Sequence, residues 1–155
     1  MTRATNLNRR IVESLYNEAL ILADESRAAF DPAHYRDDAG RGEDAARVAL
    51  SCEALRTTTR VMQSIAWLLN QRAYFNGEIS EIQLRLHGRL PPKCAASDPE
   101  HLELIDLDTR RLIESSERLY DRISRLDEAL GAKLADEPHP FDQLRERLIG
   151  ELVNS

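Results

Sequence analysis

The side chains that most often bind metals or catalyse reactions are few in this chain and lie apart in the sequence. The four histidines are His34, His87, His101 and His139, and no Glu-x-x-His pair of the kind that binds iron in helical bundles is present. All four are predicted in loops or at helix ends, which argues against a metal site and against a phosphotransfer histidine in the middle of a helix. We therefore predict no catalytic residues, no cofactor, no metal site and no enzymatic activity.

The cysteines and the glycine-rich segment do not predict a reactive site either. Cys52 falls in an apolar helical pattern and is interpreted as a small core residue, whereas Cys94 lies in a proline-flanked loop. No cluster of basic residues lies near Cys94 in the sequence to activate its thiol. Both are predicted to be reduced thiols. Residues 37–42 hold two glycines, but their spacing matches no phosphate-binding loop.

Composition predicts an all-α, soluble protein. The chain has 155 residues, 42% hydrophobic and only 5% aromatic, and it is rich in Leu, Ala, Arg and Glu, which favour helix over strand. We predict a single helical domain over 1–155, with a core at about 8–131 and a linker and C-terminal helix or tail at 132–155. The net charge of −6 argues against nucleic acid as a partner. No apolar run approaches 18 residues and the first ten residues lack a signal-peptide core, so we expect a cytoplasmic location without membrane contact.

The elements that would position any binding residue are predicted from periodicity and end signals. A first helix should run from Asn6 or Asn8 to about Phe30, and its inner stripe is Ile11, Leu15, Ala19, Leu22, Ser26 and Ala29. A short helix should begin at Ser80, with Gln83 available for a capping box, and end at Gly88.

A third long helix should begin at Asp98-Pro99, with Asp98 as N-cap, and end at Gly131. Its seam is Leu102, Ile105, Thr109, Leu112, Ser116, Leu119, Ile123, Leu126 and Leu130. Phe141, Leu144, Leu148 and Leu152 define a short amphipathic C-terminal helix, which either docks on the bundle or waits for a partner.

The second long helix, predicted to end at Asn76-Gly77, organises the chain. A heptad-like apolar seam runs along it: Val48, Cys52, Leu55, Thr59, Met62, Ala66, Leu69 and Ala73. An adjacent apolar set is Ala54, Thr58, Val61, Ile65, Leu68 and Phe75, so apolar neighbours are expected on two sides. The remaining arc holds Glu53, Arg56, Arg60, Gln63, Trp67, Asn70 and Tyr74.

Two features of this helix leave alternatives open. Trp67 and Tyr74, two aromatics on a polar arc, are either covered by a neighbouring helix or exposed to a partner. The threonines of the Thr57–Thr59 run either bond back to the carbonyl four residues earlier or form a polar layer that fixes register or helps docking.

Charge favours an up-down-up order of three long antiparallel helices. The second long helix, from Asp44 to Asn76, carries four arginines against two acids, and the third, from Pro99 to Leu130, carries five arginines against nine acids. Opposite excess of charge suits antiparallel neighbours in one bundle, although such charges select partners more than they stabilise them.

One stretch resembles a known family. The run from Glu53 to Ala73, EALRTTTRVMQSIAWLLNQRA, followed by Gly77-Glu78, is similar to the signature of the alphaproteobacterial "regulator of CtrA degradation" family, and Leu119–Asp127 resembles its third helix. The resemblance covers about residues 10–131. Arg56, Arg60, Gln63, Trp67, Gln71 and Arg72 match the family pattern. The amphipathic Phe141–Leu152 segment departs from the flexible tail typical of that family.

The resemblance implies a three-helix bundle, usually a homodimer, without catalytic activity. It implies an adaptor that tethers cell-cycle regulators, notably the response regulator CtrA, and a protease-priming factor for degradation by the ClpXP protease. The candidate protein-binding surface is Arg56, Arg60, Gln63, Trp67, Gln71 and Tyr74. The alternative is a structural or regulatory helical-bundle interaction protein not linked to proteolysis; a bundle enzyme is disfavoured by the absent ligand pairs.

Overall fold

The computed structural model describes residues 3–35, 43–92, 94, 96–136 and 140–154, and these residues form helices and no strands. The helices are α1 (Arg3–Ala29), α2 (Glu43–Phe75), α3 (Glu81–His87), α4 (Pro99–Glu103), α5 (Leu107–Asp136) and α6 (Pro140–Val153), and a 3-10 turn (Pro32–Tyr35) follows α1. The predicted all-α class is confirmed. The glycine-containing segment 37–42, like His139, lies outside the described residues. No described helix is both long enough and apolar enough to cross a membrane.

The helix ends follow local sequence signals. After α2, Gly77 has a φ of 76°, and the backbone N–H of Glu78 donates to the Ala73 carbonyl at 2.9 Å, which is a Schellman ending. Ser80 and Gln83 form the predicted capping box, and Gly88 caps the end of α3. Asp98 is the N-cap of α4, with its side chain accepting from the Glu100 backbone N–H. These predictions are confirmed.

The third long helix differs from its prediction at both ends. Leu104 caps α4, and α5 starts afresh at Leu107, where the Asp106 carboxylate accepts from the Thr109 backbone N–H at 3.0 Å. A second N-cap therefore interrupts the predicted continuous helix. Gly131 does not end α5, which continues to Asp136. A glycine inside a helix costs some stability but does not by itself stop the helix.

The three long helices contact one another pairwise, but their order is not up-down-up. α1 runs antiparallel to α2, since Glu13 near its start pairs with Arg72 near the end of α2 at 2.8 Å. α2 and α5 run parallel, because Arg60 contacts Ser116 and, further along both helices, Trp67 contacts Asp127.

The segment between α2 and α5 makes the parallel order possible. The described part of residues 76–106, hereafter the return segment, carries the chain back along α2 before α5 begins. Leu90 contacts Asp127, and further along the chain Asp98 contacts Glu53. The opposite charge excess of the two helices predicted an antiparallel order. That prediction is wrong because flanking charges contribute little compared with these buried contacts.

The core lies between the three long helices. Its buried members are Val12, Leu15, Ala19 and Leu22 of α1, Val61, Trp67 and Leu68 of α2, and Leu112, Leu119 and Ile123 of α5. The predicted seam of the third long helix is buried from Ile105, just before α5, to Ile123 of α5. The α1 stripe is confirmed at Leu15, Ala19, Leu22 and Ser26, but Ile11 is 37% exposed and Val12 points inward instead.

Replacing Gly77 by alanine is expected to lower the free energy of unfolding by about 1 kcal/mol, because a side chain strains its left-handed backbone. The control is Gly150→Ala in α6, where an added Cβ meets no atom within 4 Å. The urea concentration at the midpoint of unfolding should not fall for this variant. Urea unfolding followed by circular dichroism measures both variants. Unchanged stability of Gly77→Ala would contradict the Schellman ending.

Candidate protein-interaction surface

Three of the six side chains predicted to bind a partner are not on the surface. Arg60 and Trp67 are each only 2% exposed, and Gln71 is also buried. Arg56 and Gln63 are half-buried and Tyr74 is exposed. The polar arc of α2 therefore faces the rest of the protein, and partner contact remains a prediction only for the accessible members.

Arg60 is held in a polar layer between α2, α5 and the return segment. Its guanidinium donates to the hydroxyls of Ser116, Thr57 and Ser97 at 3.2 to 3.3 Å, and it lies 3.9 Å from the Glu117 carboxylate. A buried charge is tolerated only where several hydrogen bonds replace water. These bonds fix how α2 sits against α5.

The threonine run serves both of the roles left open by the sequence. Thr59 donates to the Leu55 carbonyl four residues earlier at 2.8 Å, which is the local back-bond. Thr57 is buried and accepts from Arg60, so it belongs to the polar layer. Thr58 is exposed beside it.

Trp67 and Asp127 form the second contact of this layer. The indole Nε1–H donates to Asp127 Oδ1 at 2.9 Å. The same oxygen accepts from Arg89 Nε at 3.1 Å and from the Leu90 backbone N–H at 3.3 Å. One carboxylate thus joins α2, α5 and the return segment.

Glu53 forms the third contact, at the start of α4. Its carboxylate is fully buried and accepts from Arg56 at 2.6 Å and from the Asp98 backbone N–H at 3.1 Å, with His101 Nδ1 at 3.3 Å. Burial alone would raise the pKa of Glu53, but these hydrogen bonds outweigh burial and hold the pKa below its ordinary value of 4.5.

The apolar seam of α2, for which the sequence predicted apolar neighbours, lies on the outside of the described structure. The α2 seam consists of Val48, Cys52, Leu55, Thr59, Met62, Ala66, Leu69 and Ala73. Its four large members, spaced by seven residues, are 44% to 71% exposed. The adjacent apolar set supplies the core instead, through Val61 and Leu68.

The face that carries the α2 seam has no exposed charge from Val48 to Asn76. The charged residues in that stretch are Glu53, Arg56, Arg60 and Arg72. Glu53 and Arg60 are buried, and the half-buried Arg56 and Arg72 are paired with Glu53 and Glu13. An uncharged heptad stripe on a helix is suited to packing against another helix.

A cleft of about 780 Å³ opens beside the seam. It lies between the end of α1 and the middle of α2 and is lined by Phe30, Val61, Met62 and Ile65 among others. Met62 belongs to both the cleft and the α2 seam. The α2 wall of the cleft is mainly apolar, whereas the opposite wall carries the charged side chains of Asp24, Arg27 and Asp31.

The described histidines and the two cysteines do not come together in one site. His101 contacts Glu53, and His87 is exposed at the end of α3. Among the described residues, no three His, Cys, Asp or Glu side chains lie together as metal ligands would. Cys52 and Cys94 are both free thiols and half-buried.

The C-terminal helix is present but exposed. α6 spans Pro140–Val153, close to the predicted limits. Leu144, Leu148 and Leu152 are all more than half exposed. The structure therefore does not place this apolar stripe in the core.

Comparison with known proteins identifies a family to which the chain is similar. A family model described as "Protein of unknown function (DUF1465)" matches residues 3–151, which include α1 to α5 and most of α6. No curated protein and no solved structure matches the chain.

The Glu53→Gln substitution is expected to lower the free energy of unfolding by about 2 kcal/mol at pH 7, because the variant loses charged hydrogen bonds. Since the folded state lowers the pKa of Glu53, its contribution is complete above pH 4.5 and is lost as pH falls through the folded-state pKa. The difference between wild type and variant should therefore narrow below pH 4.5.

The matched control is Glu114→Gln, an exposed carboxylate on α5, which should change stability little. Urea unfolding at several pH values measures all three proteins. A difference between wild type and Glu53→Gln that widens as pH falls would show that the buried carboxylate is not held as described.

Proposed function

The chain belongs to the family described as "Protein of unknown function (DUF1465)", and from this premise we propose that it is a non-enzymatic adaptor that acts by holding other proteins together. In this proposal it is a cytoplasmic protein that needs no cofactor. It tethers cell-cycle regulators, such as the response regulator CtrA, for degradation by the ClpXP protease. The observation that carries the proposal is the exposed, uncharged α2 seam.

The α2 seam has the dimensions of a helix-binding surface. From Val48 to Ala73 it extends roughly 40 Å along the helix axis. Large side chains at Val48, Leu55 and Met62 alternate with small ones at Cys52 and Thr59, so a second helix can approach closely. The polar layer on the opposite side of α2 keeps this surface rigid, which lowers the entropic cost of binding.

The resemblance of residues 53–73 to the "regulator of CtrA degradation" signature supplies the identity of the cargo and protease in this proposal. An adaptor of that kind accelerates degradation by raising the effective concentration of cargo at the protease, without chemistry of its own. The half-buried Arg56 and Gln63 and the exposed Tyr74 lie at the accessible edge of α2. They are the members of the predicted surface that can contribute to docking.

We further propose that the three long helices act as one bundle, and that two copies of the chain associate through the α2 seam. A surface without charge presents no like-charge repulsion to a second copy of itself. A two-fold axis would place the same seam on both sides of the interface. Exposed apolar faces of this length are uncommon on monomers.

Substituting Met62 by aspartate is expected to convert a dimer into a monomer, because it places a charge in the middle of the seam. The molecular mass measured by light scattering at micromolar concentration should then fall from twice 17.6 kDa to 17.6 kDa. Leu86→Asp, on α3 and equally exposed, is the control and should stay dimeric. A wild-type chain that scatters as a monomer would contradict the dimer.

Adding the purified protein to ClpXP, a priming factor and CtrA is expected to raise the degradation rate roughly tenfold or more. The rate should saturate with adaptor concentration and return to its basal value for Gln63→Glu combined with Tyr74→Asp, which leaves the Arg56–Glu53 pair intact. Glu114→Gln serves as the control. Unchanged degradation of every cell-cycle regulator tried would favour the alternative, a structural or regulatory bundle protein not linked to proteolysis.

A further inference from the structure

The α2 seam alternates between large and small side chains along its whole length. Its large members, which are 44% to 71% exposed, are Val48, Leu55, Met62 and Leu69. Its small members are Cys52, Thr59, Ala66 and Ala73. A helix that packs on this seam fills the space between the two helices evenly when it places a small side chain opposite each large one.

A second copy of α2 supplies that complement when it runs antiparallel. The seam residues follow one another at steps of four and three that read the same in both directions, so one register brings all of them face to face. Each layer of that register pairs one large side chain with one small one. The layers, each present twice, are Val48 with Ala73, Cys52 with Leu69, Leu55 with Ala66 and Thr59 with Met62.

The other arrangements of two α2 helices pack less well. A parallel pair in register places large side chains opposite large ones and small opposite small, so the layers of Ala66 and Ala73 leave voids that cost stability. An antiparallel pair shifted by one heptad keeps large against small but leaves two seam residues of each copy without a facing residue. The full antiparallel register is therefore favoured.

The area and charge of the seam are compatible with this pairing. The exposed parts of the seam side chains amount to roughly 500 Å² per copy, and about 1,000 Å² in a pair is the least that a specific interface needs. The charged residues nearest the seam, Arg56 and Arg72, come opposite Gln63 and Ser51 of the second copy. No like charges in the stretch from Val48 to Asn76 therefore face one another.

We infer that a second copy of the chain covers the α2 seam with its own α2, antiparallel, with the two-fold axis between Thr59 and Met62. The inference rests on the dimer proposed above and fixes its arrangement. The two Cys52 side chains are then roughly 25 Å apart along the helix axis. The two Tyr74 side chains lie near opposite ends of the paired helices, roughly 40 Å apart, so the dimer presents one docking edge at each end.

Oxidative crosslinking of cysteine variants tests the arrangement, with Cys94→Ser as the background. Cys52 alone should not join two chains, because a disulfide cannot span roughly 25 Å. Adding Leu69→Cys places two cysteines in one layer, and most of the protein should then migrate at twice 17.6 kDa without reductant. The matched control, Leu69→Cys with Cys52→Ser, should not crosslink.

Spin labels on Ser51→Cys, an exposed position beside the seam, give a second measurement that keeps all the large seam residues. The background is Cys52→Ser with Cys94→Ser. Because Ser51 comes level with Asn70 of the second copy, pulsed electron paramagnetic resonance should report a distance of roughly 30 Å between the labels. A parallel pair would bring the labels within about 20 Å.

Light scattering on the same variants separates this inference from the dimer on which it rests. A dimer that crosslinks through Cys52 alone, or whose Ser51 labels lie within about 20 Å, would overturn the antiparallel arrangement and leave the dimer standing. A dimer with neither the crosslink nor the longer label distance uses another surface and would also overturn it. A monomer would overturn both proposals, whereas the degradation assay bears on the adaptor role alone.

Discussion

The carboxylate of Asp127 determines which way α2 faces. Because one of its oxygens accepts from Trp67, from Arg89 and from the Leu90 backbone, α2, α5 and the return segment can only meet with the polar arc of α2 turned inward. A buried carboxylate that loses such partners is costly, since water does not replace them. The outward position of the α2 seam is a consequence of this constraint.

The constraint also explains the parallel order of α2 and α5. A short loop after α2 would make α5 antiparallel and would leave Arg60 and Glu53 without Ser97 and Asp98. The return segment costs chain entropy, but it brings both groups of partners to the same face of α2. The two N-caps at Asp98 and Asp106 then turn the chain into α5.

Features set by neighbouring residues could be predicted from the sequence, and features set by distant ones could not. The capping box at Ser80 and the ending at Gly77 depend on residues within one turn, and the α5 seam has a single apolar stripe. α2 has two apolar stripes of similar quality, so periodicity alone does not say which one is buried. The answer lies in Asp127, 60 residues from Trp67. For the same reason, the predicted surface included Trp67 and Arg60, which are buried, and the sequence did not distinguish the exposed seam from the apolar set that fills the core.

The outward seam, in turn, bears on what the protein does. A solvent-facing helix surface ordinarily carries charged residues, and α2 has four in this stretch. All four are buried or paired on other faces, so water meets an uncharged stripe of Val48, Leu55, Met62 and Leu69. Core packing does not require this stripe, because Val61 and Leu68 already fill the interior. A heptad pattern that the chain's own core leaves exposed has the spacing and apolar character of a helix-packing surface, and this is the physical basis of the proposal that another helix covers it.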